Sequence, residues 1–130
     1  VFAMGVKATG LIGSLVAAVE GNALGGGVMA LALVFLLGTT ALLTGSGNAA
    51  LFSVAGMIPG IAGRIGVSLE SLMLPSQLAG GLFRSMSPVA GVIIAVAGTA
   101  GVTPFDIIKR TSVPMIGGVL ATLIASQLLL

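Results

Sequence analysis

The chain has 130 residues but only five Lys or Arg and three Asp or Glu residues, which give a net charge of +2. Hydrophobic residues make up 57% of the chain, and the mean hydropathy is +1.26. Soluble domains carry about 25% charged residues, so 6% cannot cover a water-exposed surface, and the hydrophobic content excludes a disordered chain. The composition predicts a polytopic, all-α protein embedded in a lipid bilayer.

The absence of certain residue types limits the chemical reactions and the binding sites that the chain can provide. Histidine and cysteine are absent, which excludes disulfides, thiolate chemistry and histidine-based metal sites. The basic residues are dispersed and Trp and Tyr are absent, so the high isoelectric point does not indicate nucleic-acid binding. No base–nucleophile pair is recognisable. We therefore expect no enzyme activity, no catalytic residue, no metal, no cofactor and no nucleic-acid partner.

The first segment, residues 1–27, is expected to form either an arm helix at the membrane interface or one short crossing. Lys7 and Glu20 are too far apart for a salt-bridged helix face. The glycine triplet at residues 25–27 favours a turn, because glycine lowers helix propensity.

The second segment, residues 28–63, predicts a re-entrant hairpin. Two apolar stretches, Val28–Leu43 and Ala50–Gly63, flank the polar hexapeptide TGSGNA at residues 44–49. Each arm would extend about 21–24 Å at about 1.5 Å per residue, which is short of a bilayer core about 30 Å thick. One long buried helix with a flexible defect is the alternative.

The third segment, residues 71–102, predicts a discontinuous transmembrane helix. The stretch is too long for one ordinary span, and Phe83–Pro88 interrupts it with a charge, two serines and a proline. Proline disfavours helix at the residue before it. Backbone groups freed by such a break are tolerated within a membrane only where they face protein or a water-filled cavity.

The last two segments are predicted to be an amphipathic connector, residues 103–112, and a final span, residues 113–130. Thr103 is a suitable cap for the connector, and Pro104 suits its first turn. Lys109 and Arg110 are the only adjacent basic pair in the chain. The positive-inside tendency therefore assigns this end of the last span to the cytoplasm.

The hairpin tip is a candidate anion site. A second helix that begins near Ala49 has backbone N–H groups without intrahelical partners, and the positive end of its dipole points into the tip. Gly47 permits close approach to the backbone, and Ser46 and Asn48 add side-chain donors. The alternative is a turn in which Ser and Asn satisfy only their own backbone. The spacing Gly45-x-Gly47-x-x-Ala50 also fits a dinucleotide-binding loop, but the apolar membrane-type runs on both sides disfavour that interpretation.

The break in the third segment is the second half of the candidate site. Ser85 and Ser87 precede a helix that restarts at Pro88, and Arg84 adds a positive charge that is suited to a carboxylate. An Arg at mid-bilayer costs on the order of 3 kcal/mol, so it is expected to face a cavity or a partner. The alternatives are that Arg84 snorkels to the interface or pairs with a carboxylate elsewhere.

The sequence resembles a known carrier family over residues 44–130. The stretch SPVAGVIIAVAGTAGVTPFDIIKRTSVPMIGG, Ser87–Gly118, closely resembles the C-terminal part of the bacterial anaerobic C4-dicarboxylate carriers of the DcuC family, and TGSGNA resembles that family's hairpin tip. Residues 1–43 match only in character. Because the chain begins at Val1 and ends within an apolar run, we expect a fragment of a longer protein.

The resemblance implies a secondary carrier of the bacterial inner membrane that moves succinate, fumarate or malate by exchange or by cation-coupled uptake. Such carriers belong to the wider ion-transporter superfamily, which is built from two inverted repeats with paired hairpins. The chain would be one transport-domain half, with Ser46, Gly47, Asn48, Arg84, Ser85 and Ser87 as substrate-binding residues. Relatives in that superfamily carry Ser-Asn-Thr at the tip. Here Gly47 separates the Ser and Asn, which argues against a cation site.

The implied partners are a dicarboxylate anion, membrane lipid and the missing N-terminal half of the same carrier. The coupling partner is a proton, sodium or a counter-dicarboxylate, and a homodimer is left open. Two alternatives for function remain. One is a carrier in the same superfamily for citrate or an oxyanion, and the other is a small self-assembling structural membrane protein without a substrate.

Overall fold

The structure, a computed structural model, describes Gly10, residues 13–14, Ala17 and residues 25–129. The predicted arm over residues 1–27 lies mostly outside the described residues. Within residues 25–129 the chain forms six α-helices and no strand: α1 (Gly25–Thr44), α2 (Gly47–Val54), α3 (Ile58–Ile65), α4 (Leu69–Arg84), α5 (Gly91–Ala100) and α6 (Pro104–Leu129). The all-α prediction is confirmed.

Two helices, α1 and α6, are each long and apolar enough to cross a membrane. The α2–α3 pair reaches that length only as a bent unit, with an angle of 57° between its halves. These helices agree with the predicted helical membrane protein. Pro59 occupies the first turn of α3, where its missing N–H removes no intrahelical hydrogen bond.

The segment α1–α3 is a hairpin that reverses direction at Gly45 and Ser46. Gly45 has a φ of 70°, a left-handed conformation that favours glycine. Ser46 then caps α2 by accepting a hydrogen bond from the Ala49 N–H at 3.2 Å. At the other end of the hairpin, the start of α1 packs against the residues that follow α3, because a β-carbon on Gly26 would lie 2.8 Å from the Val67 Cγ1.

The first arm of the hairpin differs in length from the sequence-based expectation. It begins at Gly25 rather than Val28 and has 20 residues, about 30 Å of helix. The glycine triplet lies within its first turn. Gly26 and Gly27 pack there against the side chains of Val67 and Gln127, at places where a β-carbon would collide with them. Tertiary packing thus offsets the low helix propensity of glycine.

The core lies between α1, the bent α2–α3 arm and α4. Residues of α1 at three- and four-residue spacings face this core, which is how one side of a helix is buried. The cluster contains Met29, Ala30, Leu33, Leu37, Ala41, Ala50, Leu51, Val54, Ile58, Ile61, Ala62 and Leu72. The opposite face of α1 leaves Phe35 and other large apolar side chains exposed, as suits contact with lipid or with further membrane helices.

The third segment contains two helices joined by residues 85–90. Ser68 caps the start of α4 by accepting from the Ser71 N–H at 3.3 Å, and α4 continues through Arg84 before the chain leaves the helix. Helix α5 begins at Gly91, after the N-cap residue Ala90. The interruption therefore extends two residues beyond Pro88.

One continuous helix, α6, covers the stretch for which the sequence predicts a connector and a separate span. Its start is fixed by a reciprocal cap: the Asp106 carboxylate accepts from the Thr103 N–H at 3.1 Å, and the Thr103 Oγ1 accepts from the Asp106 N–H at 3.3 Å. Helix α6 runs antiparallel to α4, because Thr111 lies beside Ser85 while Gly118, further along α6, lies against Leu82.

The contact between α2 and α4 yields a prediction about stability. A β-carbon on Gly47 would overlap the main-chain carbonyl of Gly80, whereas one on Gly81 meets nothing within 4 Å. We expect Gly47→Ala to lower the free energy of unfolding by about 1–3 kcal/mol through overpacking. Gly81→Ala should leave it unchanged or raise it by up to about 1 kcal/mol, since alanine favours helix.

Denaturant unfolding of the full-length gene product in detergent micelles measures both changes. Equal stability of the Gly47→Ala and Gly81→Ala proteins would contradict the close packing of α2 on α4.

Candidate functional site

The hairpin tip and the break between α4 and α5 meet in the structure. A β-carbon on Gly45 would lie 2.9 Å from the main-chain N and Cα of Ala90, so the two backbones are in contact. The Ser87 Oγ also donates to the Leu42 carbonyl oxygen at 2.6 Å. The fold therefore brings together the two polar interruptions of the sequence, which are about 40 residues apart.

Four helix ends lie at this junction, defined here as residues 42–48 with residues 84–91. Helices α1 and α4 end there, and helices α2 and α5 begin there. The N-terminal end of a helix carries a partial positive charge and unpartnered N–H groups. Helix α5 has no side-chain cap on its first turn. The positive ends of α2 and α5 therefore lie together with the negative ends of α1 and α4, and it is the free N–H groups of the first turns of α2 and α5 that are suited to an anion.

The three predicted tip residues have different environments. Gly47 is buried, Ser46 is half-buried and Asn48 is exposed. The cap on Ala49 uses an acceptor lone pair of the Ser46 hydroxyl and does not use the hydroxyl hydrogen. Within the part of the chain that the structure describes, the Asn48 side chain makes no hydrogen bond. The Ser46 side chain thus hydrogen-bonds to the backbone of its own helix, whereas the Asn48 side chain does not.

Two of the three predicted break residues line a small cavity. Its volume is about 190 Å³, and it is bounded by Gly81, Arg84, Ser85, Ala90, Val92 and Ile93. The Arg84 side chain is exposed and forms no ion pair with any residue in 25–129. The Ser85 Oγ donates to the Gly81 carbonyl at 3.3 Å. The cavity thus combines a guanidinium group with the uncapped first turn of α5.

The third predicted break residue, Ser87, has a different environment. It is fully buried, and its hydroxyl is used within the protein in both directions. The hydroxyl donates to the Leu42 carbonyl and accepts from the Val89 N–H at 3.3 Å. The structure places Ser87 between the two halves of the junction.

Sequence reasoning did not single out Thr111, Gln77 and Gly80. Thr111 donates from Oγ1 to the Ser85 carbonyl at 3.2 Å and so connects α6 to the break. Gln77 is exposed and lies seven residues before Arg84 on the same face of α4, but it does not line the cavity at the break. The contact of Gly80 with Gly47 has no local signal, because it depends on tertiary packing.

Within the ranges that the structure describes, the acidic residues Glu70 and Asp106 do not come together with further carboxylates. Asp106 is occupied by the cap on Thr103, and no group of three or more Asp or Glu side chains comes together within the described ranges.

These features define a class of protein: a helical membrane protein in which two interrupted helical elements meet, an architecture that secondary carriers use for binding. The profile of the DcuC family, described as C4-dicarboxylate anaerobic carrier, matches residues 1–129, and the chain belongs to that family. Family membership and the apolar helices place the chain in the bacterial inner membrane. The family is one of carriers rather than enzymes.

Curated relatives agree with this assignment. The chain is 39% identical over 129 residues to the anaerobic C4-dicarboxylate transporter DcuC of Escherichia coli K12, covering 99% of this chain and 28% of the relative. It is 36% identical over the same shares to a DcuC transporter of Vibrio cholerae. An uncharacterised transporter of Haemophilus influenzae is 40% identical over 86 residues, 66% of this chain and 30% of the relative. Comparison with solved structures gives no significant match.

The chain spans about 28% of the length of the DcuC proteins that it matches. The resemblance first noted over residues 44–130 extends to nearly the whole chain, because the family profile begins at residue 1.

Proposed function

We propose that this chain supplies one half of the substrate site of a secondary carrier for C4-dicarboxylates such as succinate, fumarate and malate. The observation that carries the proposal is the convergence of the α2 and α5 N-termini beside an unpaired Arg84 in the described chain. The names of the curated relatives support the same substrate class. Residues 1–130 would act as a single transport-domain unit.

The two halves of the junction suit a ligand with two carboxylates. At the tip, the Ser46 hydroxyl, the Gly47 N–H and the Asn48 amide are donors for one carboxylate. At the break, the Arg84 guanidinium group and the uncapped first turn of α5 are donors for the other carboxylate, and Ser85 would join them only by exchanging its hydrogen bond to the Gly81 carbonyl for one to the substrate. A charged hydrogen bond from a guanidinium group adds geometric specificity as well as energy.

Transport would follow from motion of the junction against the rest of the carrier. In transporters built from repeats, substrate binds at interrupted helices and one unit moves as a rigid body to alternate access. The missing N-terminal half would supply the opposing wall, with lipid around the apolar exterior and, if the carrier is dimeric, a second copy. The coupling partner belongs to the same proposal: a proton, sodium or a counter-dicarboxylate.

A charge placed at the tip tests the anion site without removing the helix cap. Aspartate caps helices as well as serine, so Ser46→Asp should preserve α2 while its carboxylate repels the substrate. We expect succinate uptake by cells that express the full-length gene product to fall at least tenfold, the equivalent of about 1.4 kcal/mol.

Ser68→Asp is the matched control, because Ser68 caps α4 through the same Oγ-to-N–H contact at the other end of that helix. It should transport at the unmodified rate. Equal uptake by the Ser46→Asp and Ser68→Asp proteins would remove the tip from the substrate site.

Substitution of Arg84 tests the other half of the site. A hydrogen bond to a charged group contributes about 1.5–3 kcal/mol, so Arg84→Ala should raise the apparent KM for succinate by about 10- to 100-fold. Arg84→Lys keeps the charge but loses the bidentate fork, and it should give an intermediate KM. Membrane insertion, measured by the amount of protein in the membrane fraction, should not change. An unaltered KM in Arg84→Ala would contradict the assignment.

Vesicle experiments separate the substrates and the coupling modes. Vesicles loaded with succinate should accelerate entry of labelled succinate if the carrier exchanges dicarboxylates, whereas an imposed proton or sodium gradient should drive uptake into empty vesicles if it couples to that cation. We expect succinate, fumarate and malate to compete with the label. Stronger competition by citrate or an oxyanion would instead support a different substrate, and absence of all uptake would contradict the carrier function.

A further inference from the structure

Ser87 joins the hairpin to the broken helix by a hydrogen bond that spans 45 positions of sequence. Its Oγ donates to the Leu42 carbonyl at 2.6 Å, and the side chain is completely shielded from solvent. Because donor and acceptor lie on different halves of the junction, this bond fixes the position of one half relative to the other.

The Leu42 carbonyl is well suited to be the acceptor. It lies in the last turn of α1, where main-chain carbonyls lack intrahelical partners. The next N–H groups are used elsewhere: Gly45 donates to the Ala41 carbonyl at 2.8 Å, and Ser46 donates to the Thr44 Oγ1 at 3.3 Å. The Ser87 hydroxyl therefore satisfies a carbonyl that the end of α1 leaves open.

Ser87 also organises the turn between α4 and α5. Its N–H donates to the Arg84 carbonyl at 3.0 Å, and its carbonyl accepts from the Ala90 N–H at 3.3 Å. Its hydroxyl accepts from the Val89 N–H at 3.3 Å. One residue thus contacts the end of α1, the end of α4 and the start of α5.

The other contacts across the junction limit how closely the halves approach but do not set their direction. Gly45 meets the Ala90 backbone, and Gly47 meets the Gly80 backbone, through close packing. Van der Waals contacts are individually weak and not directional. A hydrogen bond weakens steeply when its angle or length changes. The Ser87–Leu42 bond is therefore the directional contact.

We propose that Ser87 is a positioning residue, not a substrate ligand: its hydroxyl holds the tip donors and the break donors at the separation that a C4-dicarboxylate requires. This inference rests on the proposed function and changes the role of Ser87 from the one that the sequence suggests. A hydroxyl that is buried and engaged as donor and acceptor has no hydrogen left for a ligand.

The kinetic consequence follows from the population of the aligned junction. Without the bond, the two halves of the junction adopt more positions relative to one another. Only a fraction of the molecules then has both groups of donors placed to bind the substrate. The apparent affinity falls by that fraction, whereas the movement of a carrier already loaded with substrate is unaffected. Loss of the hydroxyl should therefore raise KM and leave Vmax nearly constant.

The test compares two buried serines in the full-length gene product. Ser76 matches Ser87 closely: both are completely buried, and both donate at 2.6 Å to a main-chain carbonyl. The Ser76 bond stays within α4, to Leu72. Alanine at either position removes the same atom from an equally buried place, but only Ser87→Ala separates the two halves of the junction.

Ser87→Ala removes the bond to the Leu42 carbonyl and the weaker bond from the Val89 N–H. Because only the bond to Leu42 joins the two halves, we expect the KM for succinate to rise about tenfold, the equivalent of about 1.4 kcal/mol, with Vmax within about twofold of the unmodified protein. Ser76→Ala should leave both parameters within about twofold. An equal rise of KM in the two variants would show that Ser87 contributes only to packing and would overturn the proposal. An unchanged KM in Ser87→Ala would overturn it as well. A fall in Vmax with constant KM would also contradict it.

A graded replacement guards against simple misfolding. Cysteine is close to serine in size but is a weaker donor, so Ser87→Cys should give a KM between those of the unmodified and Ser87→Ala proteins. Thermal stabilisation of the purified proteins by succinate should follow the same order at a fixed concentration. Lack of succinate uptake by the unmodified protein would instead overturn the proposed function.

Discussion

The contact of the Gly45 backbone with the Ala90 backbone is the constraint on which the rest of the junction depends. A left-handed glycine reverses the chain at this point, and the absence of a side chain lets the reversal touch the start of the second broken element. This contact lets the four helix ends lie close together, and the Ser87–Leu42 hydrogen bond then sets the direction of one half of the junction relative to the other. The charge distribution of the junction is therefore a product of chain reversal and close packing more than of ionisable side chains.

The local features of the sequence predicted most of the elements. TGSGNA marks the reversal, the break around Arg84–Pro88 marks the second interruption, and the low charge marks the bilayer. The extent of α1 and the continuity of α6 were not predicted. In α1 the glycines at 26 and 27 are held in helix by Val67 and Gln127, and in α6 the helix continues through Pro114. Tertiary contacts extend α1, and the long helix on both sides of Pro114 keeps α6 continuous. Neither effect can be read from local helix propensity.

For the candidate site too, residue types and local positions were predictable from the sequence, whereas contacts that depend on tertiary packing were not. Ser46, Asn48, Arg84 and Ser85 were singled out by residue type and local position, and the structure gathers the two groups at one junction. The environment of Ser87 was beyond reach, because its burial and its bond to Leu42 depend on how α1 packs against the break. A serine near a break predicts a polar group, but only the fold decides whether it faces a ligand or the protein.

The close approach of α2 to α4 has a consequence for variation among relatives. In most packed pairs a larger residue on one side is accommodated by a smaller residue on the other, so the two positions vary together. Gly47 and Gly80 cannot do this, because each already lacks a side chain and the Gly47 β-carbon position is filled by main chain. The constraint on position 47 therefore comes from main chain rather than from a partner side chain, so no substitution elsewhere can relieve it.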